Sequence, residues 1–86
     1  MYTLEISEHL DKILLKLAKK DREQKEAICK KVSEIQADPY RYKPLSGDMK
    51  GRRRVHIHKS FVLVYEIDEQ NQIVRLLDYE HHDKVY

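Results

Sequence analysis

The chain carries one cysteine, Cys29, and so can form no internal disulfide, whereas a small secreted scaffold would have several. Its longest purely apolar run, residues 61–65, falls far short of the roughly 20 residues that span a membrane. The N-terminus interleaves charges with apolar residues and shows no signal-peptide core, so the expected location is the cytoplasm, with no membrane association. A metal site could be assembled on paper from His56, His58, His81, His82, Asp83 and Cys29, but no C-x-x-C or H-x-x-x-H spacing marks one. No metal or other cofactor is expected, and Cys29 reads as a small buried residue on an inward-packing helix. Glycine and proline are scarce, two of each, and all four lie between residues 39 and 51, which confines the strongest punctuation to one segment. No internal repeat or low-complexity stretch divides the 86 residues, which read as one domain, 1–86.

Charged residues make up 37% and hydrophobic ones 41%, a balance suited to a folded domain and too apolar for simple disorder. A domain of this size buries roughly 60–65% of its unfolded surface, so its stability is modest without a partner. The net charge of +2 does not by itself suggest nucleic acid, and its distribution is more informative. Between residues 43 and 59 stand Lys43, Lys50, Arg52, Arg53, Arg54 and Lys59 against one acid, Asp48, a local positive field that the total hides.

Tyr2, Leu4 and Ile6 alternate with polar residues and predict a short strand. Leu10, Ile13, Leu14, Leu17 and Ala18 have helical spacing over residues 8–20, with Ser7 as N-cap and His9 on the surface. Asp21, three residues before Gln24, opens a second helix in a capping-box variant; its stripe is Ile28, Val32 and Ile35, and Asp38-Pro39 ends it. After a loop over residues 40–51, Val55 and Ile57 alternate with Arg54, His56 and His58. Residues 61–67 suit a central strand covered on both faces, 68–72 a polar turn, and 73–79 a last strand. The order predicts an α+β fold: a strand, a two-helix hairpin, then a three-stranded antiparallel meander. They form one sheet with the helices packed on one face and the other face open.

By the two-residue period of a strand, Arg52, Arg54, His56 and His58 share one face while Val55 and Ile57 enter the core. A second cluster, His81, His82 and Asp83, follows the last strand, with Tyr86 beyond it. Such groups suit RNA cleavage. A base takes the proton of a 2′-hydroxyl, which attacks the adjacent phosphate; an acid protonates the leaving 5′-oxygen; cations offset the extra charge. Histidine fits both proton-transfer roles and arginine fits phosphate. Each piece also has a plainer reading: the arginine run as a solvated turn, each histidine alone as a surface residue. His81 and His82 are adjacent and point opposite ways on an extended chain, so at most one belongs to a site.

The C-terminal half resembles the RelE/ParE superfamily of toxins, and within it the YafQ-like branch. Three motifs carry the likeness: P-L-x-G-x-x-K-G at Pro44, Leu45, Gly47, Lys50 and Gly51; His56-Ile57 followed by Leu63-Val64-Tyr65; and H-x-x-x-[FY] at His82 and Tyr86. The resemblance implies a RelE-like fold and an endoribonuclease that cuts mRNA in the ribosomal A site without a metal. It implies partners as well: a neutralising antitoxin, mRNA, and the ribosome with its RNA. It places His56, His82 and Tyr86 in catalysis, with Lys43, Lys50, Arg52, Arg53 and Arg54 on phosphate. Two departures stand out: Ser60 occupies the place of an acidic residue, and Val62 that of an arginine in other branches. His58 would then substitute for the absent carboxylate. A ParE-like toxin that inhibits DNA gyrase without cutting RNA, or a non-catalytic RNA binder, are the alternatives.

Overall fold

Ser7 separates the first strand from the first helix and is tied to both sides of that junction. In the computed structural model, which describes residues 2–44 and 51–81, β1 (Thr3–Ile6) ends one residue before Ser7 and α1 (Glu8–Lys20) begins one residue after it. The Ser7 hydroxyl accepts the Leu10 N–H at 3.1 Å and donates to the Leu77 carbonyl at 2.8 Å. Asp21 caps α2 (Arg22–Ala37) as its spacing predicts. One carboxylate oxygen accepts the Gln24 N–H and the other the Gln24 side-chain amide, each at 3.0 Å. Those two donors hold the Asp21 carboxyl below its ordinary value. α2 stops before Asp38-Pro39, and the buried Pro39 offers its carbonyl to the Tyr65 hydroxyl at 2.6 Å.

The other strands are β2 (Arg52–Ile57), β3 (Phe61–Asp68) and β4 (Ile73–His81), in the sheet order β1-β4-β3-β2. The last three form the expected antiparallel meander, and β1 lies parallel to β4, with Thr3 opposite Ile73 and Ile6 opposite Leu76. Leu10, Ile28 and Ile35 pack from the helices onto Val55, Ile57, Leu63, Tyr65, Val74, Leu76 and Tyr79. Each such aliphatic burial is worth roughly 1.5–3 kcal/mol. β3 is covered on both faces, since Val62 and Val64 are buried on the side away from the helices.

β4 changes phase once. Val64 pairs with Asp78 and Tyr65 with Leu76, which leaves Leu77 as the extra residue of a β-bulge. The bulge lets Val74, Leu76 and Tyr79 all face the helices, and it sends Asp78 and Glu80 to the other side. Unbroken alternation would have put both carboxylates in the core. Two sequence expectations are corrected. Cys29 is exposed, because one step along α2 from Ile28 turns it by about 100° away from the sheet. His58 leaves the β2 face, because the strand ends at Ile57 and His58 enters the turn with a φ of 55°.

Candidate nucleic-acid interface at the β2 edge

On β2, Val55 and Ile57 are buried against the helices, so Arg52, Arg54 and His56 project from the opposite face. Arg53 has the phase of Val55. Its guanidinium donates to the carbonyls of Tyr40 and Tyr42 and lies 5.0 Å from the Tyr40 ring. Two arginines of the run therefore share the cationic face, not three. The arrangement Arg53 makes is structural: it fixes the chain after α2 along the outer edge of β2. There the Lys43 carbonyl accepts the Arg54 N–H at 3.3 Å, and Pro44 bridges to Arg53.

Lys43, Arg54 and His56 converge on a cavity of about 370 Å³, lined also, among the described residues, by Val55, Tyr42 and Lys31. Lys31 and Tyr42 were not singled out from the sequence. Lys31 flanks the buried stripe of α2 and reads there as an ordinary solvated lysine; only the path of residues 42–44 brings it to β2. Glu34 organises this side, with Lys31 at 3.7 Å, Arg41 at 3.5 Å and the Tyr42 hydroxyl donating at 3.4 Å. Among the described residues, no hydrogen bond or ion pair engages the Lys43 ammonium or the His56 ring, and both are exposed.

The remaining predicted residues are distributed as follows. His58 lies within electrostatic reach of Asp21, at the junction of the two helices, away from His56. His81 meets the Phe61 ring edge-on at 5.6 Å, and Phe61 stacks on Tyr79, so His81 belongs to the helix side of the sheet. Lys50, His82 and Tyr86 lie outside the described residues.

Across the same open face the charge reverses. Arg75 is held by Glu5 at 2.9 Å, Asp68 at 3.1 Å and Glu66 at 3.9 Å. The Asp78 carboxylate accepts from the His9 ring at 3.0 Å, with Glu80 beside them. His9, Asp78 and Glu80 bring ligand atoms within 4.8 Å of one another, and among the described residues they are the group that could hold a metal ion. The rows Arg54–Val64–Asp78 and His56–Val62–Glu80 thus run from a cationic edge, over buried valines, to an anionic side about 10 Å away.

The model of the family described as ParE toxin of type II toxin-antitoxin system, parDE, matches residues 1–86. The putative toxin RelE4 of Methanocaldococcus jannaschii is 49% identical over 86 residues, all of this chain and 92% of that protein. A YoeB/ParE toxin from Agrobacterium tumefaciens superposes with a TM-score of 0.85 at 19% identity, covering 93% of this chain and 98% of the other. YafQ from Escherichia coli superposes with a TM-score of 0.71 at 19% identity, covering 100% and 99%. At those identities the structural likeness is one of fold, and it matches the α+β arrangement of two helices on a four-stranded sheet. The chain belongs to the ParE toxin family of type II toxin–antitoxin systems, within the RelE/ParE superfamily.

Proposed function

We propose that this toxin is an endoribonuclease that cuts mRNA in the ribosomal A site and is neutralised by a cognate protein antitoxin, in the cytoplasm. The observation that carries the reading is the convergence of Lys43, Arg54 and His56 on one cavity at the cationic edge of the open face. His56 and His82 share the proton transfers, one taking the 2′-hydroxyl proton and the other giving a proton to the leaving 5′-oxygen, with Tyr86 supporting the site. Lys43, Arg54 and Arg52 offset charge on the phosphate, and Lys50 extends their field. These side chains supply acid, base and cations among themselves. Positioning by ribosomal RNA accounts for activity from so sparse a site.

A second reading, inhibition of DNA gyrase by binding, is favoured by the ParE description of the matching family. Inducible expression with mapping of mRNA 5′ ends separates the two. New ends within coding regions are expected for the parent chain, and His56→Ala or His82→Ala should reduce them by about 10²-fold or more. Toxicity without new ends would sink the nuclease reading, and full cleavage by both variants would sink the assigned residues.

A further inference from the structure

The cavity beside His56 reaches past the edge of the sheet to α2, where Lys31 and Tyr42 have no part in the proposed bond cleavage. We propose that this helix-side half is a nucleotide subsite, which stacks a base flanking the cleaved bond on Tyr42 and holds its phosphate between Lys31 and Lys43; this rests on the RNA reading above.

Four observations carry it. The volume of about 370 Å³ lies within the range of roughly 300–1,000 Å³ typical of small-molecule sites. The wall combines one aromatic ring with cations, the pairing by which proteins hold single-stranded nucleic acid without reading its sequence. Tyr42 is also anchored as a platform: its hydroxyl is tied to Glu34, its carbonyl to the Arg53 guanidinium, and it packs partly against the core, with Lys31 and Arg41 over the ring at 5.9 and 5.8 Å, where a stacked base would take their place. Finally, direction is decided by charge. A strand with its scissile phosphate at His56 that ran toward β4 would meet Asp78, Glu80, Glu66, Asp68 and Glu5, with Arg75 already committed to three of these acids. Running toward α2, it meets Lys43, Lys31 and Arg41 against one acid, Glu34.

The test is binding of a short, labelled single-stranded 2′-O-methyl RNA, which lacks the attacking hydroxyl and stays intact, followed by fluorescence anisotropy. Tyr42→Leu should weaken binding about tenfold, while Tyr42→Phe, which keeps the ring, binds like the parent. Lys31→Gln should weaken binding and flatten its salt dependence; Lys12→Gln on α1 should do neither. Lys31 lies on the surface of α2, so its variant remains informative if Tyr42→Leu fails to fold. Parent-like binding by Lys31→Gln together with either parent-like binding by a folded Tyr42→Leu or weakened binding by Tyr42→Phe would overturn the subsite, as would a parent chain that binds no RNA. If the parent cuts no RNA yet binds it in a Tyr42- and Lys31-dependent way, the subsite stands and the nuclease reading fails.

Discussion

Tyr65 reaches from the middle of β3 to the Pro39 carbonyl, and this contact ties the central strand to the corner where α2 ends. Burial pushes its hydroxyl up to about 12. Because the native value is raised, the contribution to stability is complete below the ordinary tyrosine value near 10 and is lost as the pH rises through about 12. Tyr65→Phe leaves the buried carbonyl without its donor and should cost about 1–3 kcal/mol in urea titrations, with a shallower alkaline loss than the parent. At this scale the sequence was legible wherever a period decided the matter. Arg54 and His56 face outward because Val55 and Ile57 face inward. It was not legible where a side chain answers to a distant segment: the Arg53 guanidinium follows the course of residues 40–42, and Lys31 acquires meaning only beside Tyr42. His58 escaped because nothing in its neighbourhood demands a left-handed backbone at a non-glycine residue.

The β4 bulge is the element on which the two faces of the sheet depend. Its unpaired groups are answered locally: the Leu77 carbonyl accepts the Ser7 hydroxyl, and the Tyr79 N–H donates to the Asp78 carboxylate at 2.8 Å. Deleting Leu77 removes the extra residue, and strict alternation of what remains keeps Leu76 and Tyr79 toward the helices and Asp78 and Glu80 away from them. The intact strand without its bulge would instead bury two carboxylates without partners, more than a small domain can tolerate. The deletion chain should therefore keep the parent's near-ultraviolet signal and a cooperative melting transition in circular dichroism. The helix starts were legible in the sequence at Ser7 and Asp21, whereas the break in residues 73–79 was not read there. The partner of β1 left no such sign. A parallel pairing depends on where two helices deliver the chain, and no local pattern encodes that.

Over the whole molecule, one carboxylate gathers three segments. Glu69, in the turn between β3 and β4, accepts from Tyr40 at 2.6 Å, from Tyr2 at 2.7 Å and from the Gln72 amide. These donors hold the Glu69 carboxyl below its ordinary value, as Asn71 does for Asp68 and Gln24 for Asp21. With native values depressed, the unfolded chain binds more protons in acid, so this stabilisation is present at neutral pH and lost as the pH falls through the native values. The melting temperature should fall as the pH drops below about 4, and more gently in Glu69→Gln; an identical profile would show that the clamp adds nothing. The small net charge conceals a division of the surface that only folding completes. The basic half is contiguous in sequence, whereas Glu5, Glu66, Asp68, Asp78 and Glu80 meet through the strand order. That same order sets a timetable. β1 is made first, yet the strand it pairs with, β4, is made last of the four. On a translating ribosome the sheet stays one edge short until β4 has emerged, and the open face with its two charges cannot be laid out before then. The charged face is therefore complete only after the last of the four strands has joined the sheet.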